Sequence, residues 1–465
     1  MEPSITHPPE PANRIGLRFV LLGMLALAVS MMFGALAAFK FLYPELLQML
    51  PFHKIRPIHV SLAVAWIFLA AVGGIYYYLP NAARLPLHST RAAAVHFWLF
   101  LVTGLVILAA YALGQFGGRE YFQFPAILAL PIFASWILFG VNYFRTVTRD
   151  RRPWPVYYWM WGTGIVFFFV TFTEAYLWLI PFFRENMVRE VTVQWKAYGA
   201  LVGSWNMMVY GTAIFVMCRI GGDDQMARSK LVFALFFLGL FNLMFGWAHH
   251  AYPIPTVPWI RHFAYFVSMT ELLILGKIIW DWRGSLATYR RHHHRQAFRF
   301  MIAADFWVFV NLILALIISV PAANLFTHGT HVTVAHAMGT TIGINTMILL
   351  ASVFFILEEA YGRRFSPAHV AVTRSGFWIA NSCLLVVFVS LLGAGLGRGT
   401  YIEGTFQEMM ALIEPYLIVF AGAGVGLAIG LWMVLACAIQ LMTGLVFTSA
   451  TTEARGLARG EKPAG

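Results

Sequence analysis

Long apolar runs separated by short polar segments fill almost the whole chain. A membrane-spanning helix needs about 20 apolar residues. We predict twelve spans, at residues 17–42, 58–79, 92–113, 126–143, 156–180, 197–217, 231–251, 259–280, 301–320, 332–357, 377–396 and 410–447. The last run is long enough for two helices and has a glycine-rich middle. We predict a single tilted span there, because an even number of spans suits the distribution of basic residues.

Basic residues are concentrated in alternate loops. With twelve spans, one set of loops holds most of them, and the opposite set holds only Lys54, Arg56, Arg119, Arg184, Arg189 and Arg398. Cytoplasmic loops of membrane proteins are rich in Lys and Arg. We therefore predict a protein of the cell inner membrane with both termini in the cytoplasm, in tails at residues 1–15 and 448–465.

Composition supports a polytopic, all-α membrane protein with one integral domain, residues 1–465. Hydrophobic residues make up 60% of the 465 positions and charged residues 11%, whereas soluble domains carry about 25% charged residues. The net charge of +12 lies in short loops and does not indicate nucleic-acid binding. No Cys-x-x-Cys-His motif occurs, and the three cysteines lie apart, which excludes a covalently attached haem and a disulfide framework.

Several histidines share one depth of the predicted membrane. His59 lies just inside the second span, His249 and His250 end the seventh, and His336 begins the tenth, all on the outer side. Ionisable residues within spans are functional by default. Imidazole is the usual ligand of haem iron and of transition metals. We predict that this set ligates haem or metal.

The tenth span also carries Met338, two residues after His336. At about 100° per residue, the two side chains point to nearly opposite sides of the helix. One helix would then serve two separate centres. The adjacent pair His249 and His250 chelates one ion only if the helix end is distorted, which the prolines from Pro253 onward would permit.

The other histidines and two glutamates within the predicted spans need separate interpretation. Structural or solvent-exposed roles are expected for His96, His328, His331 and the histidine run 292–294, although that run could bind metal adventitiously. Glu174 and Glu271 lie within apolar spans, so each is expected to be protonated, paired or next to a water-filled cavity. Glu271, which follows the His-His turn, is the better candidate for a functional site.

These stretches together resemble the haem-copper oxidase superfamily, and within it the large subunit of nitric oxide reductase. The resemblance is carried by Arg56-Pro-Ile-His59, Gly118-Arg-Glu-Tyr121, Gly246-Trp-Ala-His249-His250, Ser268-Met-Thr-Glu271, and Phe326-Thr-His-Gly-Thr330 through Ala335-His336. It covers nearly the whole chain. It implies the all-α fold of subunit I, with about twelve transmembrane helices.

The resemblance also implies cofactors and residue roles. Two b-type haems are expected, with a non-haem iron, or copper as in the oxidases. His59 would be an axial ligand of the low-spin haem and His336 the proximal ligand of the high-spin haem. His249 and His250 would bind the non-haem metal. Glu271 would handle protons or support the metal ligands, and calcium would be allowed beside the haem propionates, near Glu120 and Gln123.

Met338 departs from the family pattern, because the family has a second histidine at that position. A thioether can ligate haem iron, and ligation by His and Met raises the reduction potential. We predict a low-spin haem held by His59 and Met338, with His331 as the alternative to Met338.

Three further departures affect the non-haem metal site. The third metal histidine and two glutamates of the family are replaced here by Tyr198, Val202 and Asn206. Three alternatives remain open at this site. Tyr198 ligates the metal as a phenolate, Glu271 becomes a metal ligand, or no second metal binds.

The implied function is reduction of NO to N2O, as in denitrification. A c-type cytochrome subunit on the periplasmic side would donate electrons, since the chain has no covalent haem motif of its own; quinol is the other donor. Two alternatives are an oxygen reductase or NO-disproportionating relative, and a non-enzymatic haem protein for electron transfer or NO sensing.

Overall fold

Helices make up most of the part of the chain that the computed structural model describes, which is residues 11–255, 257–285, 293–362 and 365–458. In these ranges the only β-type pairing is an isolated bridge between Arg119 and Phe122. The helices are α1 (Pro11–Phe39), α2 (Phe52–Ala83), α3 (Thr90–Ala112), α4 (Ala129–Val147), α5 (Val156–Glu174), α6 (Pro181–Arg184), α7 (Met187–Gly221), α8 (Lys230–Phe245), α9 (Pro258–Ser285), α10 (Arg295–Ser319), α11 (Pro321–Thr327), α12 (His331–Met338), α13 (Met347–Tyr361), α14 (Pro367–Thr400) and α15 (Phe406–Ala458). A 3-10 helix (Gly246–Ala251) extends α8, and a π-helix (Gly339–Thr346) joins α12 to α13. The all-α prediction is confirmed.

The predicted spans correspond to helices of the structure one by one. Eleven stretches of described residues are long and apolar enough to cross a membrane, and the remaining predicted span, 259–280, lies within α9. The last apolar run forms one helix, α15, although it contains Pro415. The helices at both ends of the chain extend past the predicted limits, to Pro11 and to Ala458. Apolarity marks the length of chain that meets lipid, whereas backbone hydrogen bonds continue into the polar flanks.

The stretch from His331 to Tyr361 is the most enclosed of the candidate spans. In its most apolar window 89% of the residues are buried, against 28% for α3. A helix enclosed on all sides belongs to the core of a helical protein. Its buried polar side chains, Asn345, Thr346 and Ser352 among them, therefore meet other parts of the protein rather than lipid.

Close helix packing positions the first part of the site. A Cβ atom added to Gly16 of α1 would lie 2.6 Å from the carbonyl oxygen of Gly73 in α2. Such close backbone approach through glycine is typical of helix pairs in membranes. Further along the same pair, Ser30 of α1 meets His59 of α2.

A sharp turn starts α12. Gly329 has a φ of +73°, a left-handed conformation that glycine adopts without strain. Thr330 then caps the helix, since its side-chain oxygen accepts a hydrogen bond from the Val332 amide at 3.2 Å. This turn separates α11 from α12 and sets the direction in which His336 and Met338 enter the core.

Candidate functional site

His59 of α2 is held in one orientation by α1. Its Nδ1 atom lies 2.8 Å from the Ser30 carbonyl oxygen, which fixes Nδ1 as the donor, and 3.1 Å from the Ser30 hydroxyl. The other ring nitrogen, Nε2, then carries the lone pair. A histidine that ligates a metal or haem is usually oriented in this way, by a hydrogen bond from its second ring nitrogen.

A glycine leaves space for the His59 ring. A Cβ atom at Gly34, one turn after Ser30 on α1, would lie 2.6 Å from Cε1 and 2.8 Å from Nδ1 of His59. Real Cβ atoms do not approach ring atoms so closely, so this position requires glycine for the observed ring placement.

Met338 faces the same cavity as His59. This cavity has a volume of about 40 Å³ and is lined mostly by apolar residues, which are Leu27, Met31, Ala63, Trp66, Ile67, Thr341, Ile342 and Thr346 besides the two candidate ligands. His59 and Met338 thus line one cavity, and their joint ligation of a haem stays a prediction. A macrocycle is much larger than this volume, so its binding would displace apolar lining side chains.

His331, the alternative to Met338, lies elsewhere. It is 8% exposed, so the expected solvent-exposed role is wrong. It lines a separate cavity of about 220 Å³, together with Arg398, Met409 and Met410. Seven residues of helix, about 10 Å, separate it from Met338 along α12. His59 and Met338 therefore line one cavity, and His331 lines a different one.

His336 is the second candidate ligand on α12. Its Nδ1 atom is buried and has no hydrogen-bond partner. On the α10 side, Asn311 donates from its side chain to the Thr340 hydroxyl at 2.7 Å, and Thr340 in turn donates to the His336 carbonyl oxygen at 3.1 Å. The first turn after His336 is thereby fixed to α10, and a buried imidazole nitrogen remains available to a ligand.

The π-helix begins one residue after Met338. Its wider turn is accompanied by a hydrogen bond from the Thr346 hydroxyl to the Thr341 carbonyl oxygen, five residues earlier, at 2.8 Å. Thr346 also accepts a hydrogen bond from Trp66 Nε1 of α2 at 3.0 Å. Short π-helices occur frequently at functional sites. No feature of the apolar pattern predicted this one.

The end of α8 is distorted, which is the condition that chelation by His249 and His250 would require. Gly246–Ala251, which contains His249 and His250, is a 3-10 helix. The His249 carbonyl oxygen accepts a hydrogen bond from the Asn324 side chain of α11 at 3.2 Å. The side chains of His250 and Glu271 lie outside the described part of the structure, although Glu271 lies on the described helix α9.

Tyr198 lies on α7 against the segment between α3 and α4. Its ring packs edge-on against Tyr121 at 5.2 Å and lies 6.4 Å from Phe122. Its hydroxyl group is buried and has no hydrogen-bond partner. Burial raises the pKa of Tyr121, in the segment between α3 and α4, to about 12, so this aromatic contact involves a neutral phenol.

Two other substituted positions differ in what they contact. Asn206 of α7 accepts a hydrogen bond from Asn345 of the π-helix at 3.1 Å. Val202, one turn earlier, is half-buried and apolar. The position of Asn206 is therefore occupied by an uncharged amide that is paired with the Asn345 amide.

Three further polar residues, Glu174, His96 and Glu120, have partners in the structure. Glu174 forms an ion pair with Lys196 of α7, which is one of the predicted outcomes. His96 is fully buried among aromatic rings, and its Nδ1 atom lies 3.1 Å from the Tyr76 hydroxyl. That environment agrees with a structural role. Both carboxylate oxygens of Glu120 accept hydrogen bonds from Arg56, at 2.5 and 3.3 Å, so this carboxylate is already paired with a cation.

Sequence reasoning missed Ser30, Gly34 and Asn311. Ser30 and Gly34 are four residues apart on the first span, so they share a helix face, and that spacing was the available signal. Asn311 is a lone amide in an otherwise apolar span, which also marks a buried contact.

Comparison with known proteins gives the family of the chain. A family model described as "Cytochrome C and Quinol oxidase polypeptide I" matches residues 14–426. A nitric oxide reductase subunit of Stutzerimonas stutzeri is 22% identical over 436 residues, 89% of each chain. The Cbb3-type cytochrome c oxidase subunit CcoN1 of the same organism is 21% identical over 82% of this chain and 81% of that protein.

A solved structure shares the fold. A haem-copper terminal oxidase dimer, determined by cryo-electron microscopy, matches with a TM-score of 0.69 and 14% identity, over 93% of this chain and 84% of that one. The named relatives are subunits of membrane complexes. The chain therefore belongs to the subunit I family of the haem-copper oxidases, membrane oxidoreductases that bind haems and a metal.

Proposed function

We propose that this chain is the haem-bearing large subunit of a nitric oxide reductase-like complex. It reduces NO to N2O at a high-spin haem beside a non-haem metal and receives electrons through a low-spin haem. The observation that carries the proposal is the position of His59 and Met338 around one cavity, while His336 on the same helix keeps a buried free nitrogen. The similarity to the Stutzerimonas stutzeri nitric oxide reductase chain, over 89% of both sequences, supports NO as the substrate.

The low-spin b-type haem would be held by His59 and Met338. The Ser30 carbonyl group keeps Nδ1 of His59 protonated and directs the Nε2 lone pair away from α1. Gly34 leaves the space that the ring needs. The surrounding side chains are mostly apolar, and a low-polarity environment together with thioether ligation favours a high reduction potential.

The second centre would be held by His336, for the high-spin b-type haem, and by His249 and His250, for the metal. When bound, these groups would supply two electrons and a Lewis acid where two NO molecules and two protons become N2O and water. Asn311 and Thr340 fix the backbone at His336, and Asn324 fixes it at His249. We propose iron as the metal, with copper as the alternative.

Tyr198 and Glu271 are the residues proposed to replace the missing ligands and to handle protons. The buried hydroxyl group of Tyr198 has no partner within the described structure, so it is free to donate a hydrogen bond or a proton. Glu271 lies on α9, the helix that follows the 3-10 segment of His249. Calcium is not part of this proposal, because Arg56 already neutralises Glu120.

The electron donor is proposed to be a c-type cytochrome subunit on the outer side of the bacterial inner membrane. The named relatives are subunits of multi-subunit complexes, and the chain has no covalent haem motif. The outer-side segment between α3 and α4 carries two ion pairs, Arg56 with Glu120 and Arg119 with Glu190. This ordered, charged surface would face such a partner.

The test is anaerobic NO consumption by the purified, haem-loaded protein with an artificial electron donor, with N2O detected directly. Stoichiometric N2O, one molecule for each two of NO, is the expected result. A preparation that contains both haems and yields no N2O would contradict the proposal.

Oxygen reduction is the second candidate, because three matched relatives are named as cytochrome c oxidase subunits. Oxygen uptake with the same donor, in the absence of NO turnover, would favour it. Metal analysis separates the two candidates, since copper is expected for an oxidase and non-haem iron for the reductase.

A further inference from the structure

We propose that His293, His294 and Glu359 form a zinc site where the segment before α10 meets the end of α13. The site is separate from the haem ligands, since Glu359 is 21 residues, nearly six helical turns, beyond Met338 on the same helical stretch. It does not depend on the proposed reaction.

The spacing of the three side chains suits a metal ion. One potential ligand atom from each residue lies within 4.8 Å of the other two. His294 Nε2 is 3.3 Å from Glu359 Oε1. With zinc–ligand bonds of about 2.0–2.1 Å in a tetrahedron, neighbouring ligand atoms are about 3.3 Å apart. These two atoms already have the separation that zinc imposes, and only the exposed His293 side chain has to move.

The two closely spaced ligands are on fixed backbone. His294 is 7% exposed and its ring lies 4.9 Å from the Phe355 ring of α13. The histidine run was expected to be solvent-exposed, and for His294 this is wrong. Glu358, next to the ligand Glu359, accepts hydrogen bonds from the amides of Gln296 at 2.7 Å and Ala297 at 3.2 Å.

These bonds cap the start of α10 and hold it against α13. Ligands on rigid elements bind metal better than ligands that must first be ordered. The Glu358 carboxylate thus holds the backbone of His294 and the backbone of Glu359 near each other in the absence of metal.

The chemistry of the ligands selects the metal. Two imidazoles and one carboxylate match zinc sites that leave one position to water. Calcium and magnesium prefer oxygen ligands. Arg219 at the end of α7 is the cation that faces Glu359, and it opposes metal binding. It is solvent-exposed, and its guanidinium group lies over Phe215 at 4.9 Å, so water screens the repulsion.

A bound ion would join the start of α10 to the end of α13. A ligand that binds only the folded form raises stability with its concentration. Zinc should therefore raise the thermal unfolding midpoint of the wild-type protein.

The test is zinc titration by isothermal calorimetry on the full-length, haem-loaded protein without a histidine tag. One site with a dissociation constant on the order of micromolar is expected, and His293→Ala or Glu359→Gln should weaken it at least about tenfold. Arg219→Ala should tighten it. The matched control is His88→Ala, an exposed histidine in the loop between α2 and α3, which should bind zinc as the wild type does.

A second measurement is X-ray absorption at the zinc edge of the wild-type protein loaded with one equivalent. Two imidazole ligands, oxygen ligands and no sulfur are expected. Unchanged affinity in both ligand variants, equal weakening in His88→Ala, or sulfur in the first coordination shell would each overturn the proposal.

Discussion

At the scale of single residues, the site depends on contacts between neighbouring helices. His59 is oriented by a backbone carbonyl group of α1, and the ring occupies space left by a glycine of the same helix. Neither feature requires a bound group to be present. Both leave the Nε2 lone pair of the imidazole available, because Nδ1 donates its proton to the Ser30 carbonyl, and the proposed axial ligation would use that lone pair.

Gly34→Val should abolish the low-spin haem signal. The added Cβ would lie 2.6 Å from the His59 ring, so the ring must turn away from its position. We expect haem content to fall towards one haem per chain, measured as the pyridine haemochrome together with low-spin electron paramagnetic resonance.

The matched control is Gly104→Val on α3, where an added Cβ meets no atom within 4 Å. It should keep both haems. Full low-spin signal in Gly34→Val would show that His59 does not act as proposed.

The sequence was enough to propose His59 and Met338 as ligand candidates. It was not enough to predict the residues that contact the His59 ring. His59 and Met338 follow from polar residues within apolar spans and from the resemblance. Ser30 and Gly34 act through the register of α1 against α2, which depends on close packing at glycines such as Gly16. The apolar pattern identifies both helices and says nothing about how far one is displaced along the other.

At the scale of elements, the π-helix links α2, α7 and α10 to the helix of the candidate ligands. Trp66, Asn206 and Asn311 all hydrogen bond with side chains of this eight-residue segment. A wider helical turn redirects the side chains that follow. The segment therefore sets the orientation of α13 relative to His336 and Met338.

Thr346→Val should destabilise the protein. The substitution keeps the shape but leaves the Trp66 indole N–H, which now donates to Thr346 at 3.0 Å, without its acceptor in the core. A buried donor left unpaired costs about 1–3 kcal/mol. A lower thermal unfolding midpoint is expected.

The control is Thr173→Val on α5, whose hydroxyl is exposed and donates only to a carbonyl of its own helix. Its midpoint should stay close to that of the wild type. Equal midpoints for the wild type and Thr346→Val would contradict the role given to this contact.

The turn between α4 and α5 contains a pH-dependent contact. Asp150 accepts hydrogen bonds from Arg152 at 2.8 and 2.7 Å, and Arg152 also donates to the Ala82 carbonyl oxygen of α2 at 2.7 Å. The Arg152 guanidinium group holds the pKa of Asp150 below its ordinary value of 3.8.

A carboxylate whose pKa is lowered by folding stabilises the protein above its unfolded pKa, and this stabilisation is lost as pH falls through the folded pKa. Asp150→Asn should therefore lower the thermal midpoint near neutral pH, and the difference from the wild type should shrink below about pH 4. Asp223→Asn, at an exposed position, serves as control. A pH-independent difference for Asp150→Asn would refute the linkage.

At the scale of the whole molecule, the number and order of the spans were predictable because each is a long apolar run. The enclosure of residues 331–361 at the centre was indicated by the polar residues it carries. The arrangement of the second centre was not predictable, since it depends on where Tyr198 and the end of α8 lie in three dimensions. Tyr198 packs against Tyr121 in the segment between α3 and α4, a contact for which the sequence holds no periodic signal.

Reporter fusions test the proposed orientation in the membrane. Green fluorescent protein fused after Gly465 should fluoresce, since both termini are predicted to be cytoplasmic from the excess of basic residues in alternate loops. Alkaline phosphatase fused after Gly117, in the loop between α3 and α4, should be active because the same distribution of basic residues predicts that this loop faces the periplasm. Alkaline phosphatase that is active when fused after Gly465 would show that the orientation is the opposite one. The candidate ligand histidines would then lie on the cytoplasmic side.

The most direct test of the central claim is the ligation of the low-spin haem in Met338→His, compared with the wild type. Near-infrared magnetic circular dichroism of the oxidised wild-type protein should show the sulfur-to-iron band of His/Met ligation. The variant should show bis-histidine ligation and a midpoint potential lower by on the order of 0.1 V, with the high-spin haem unchanged. Identical low-spin spectra and potentials in the two proteins would mean that Met338 is not a haem ligand, and the account of His59 and Met338 around one haem would be wrong.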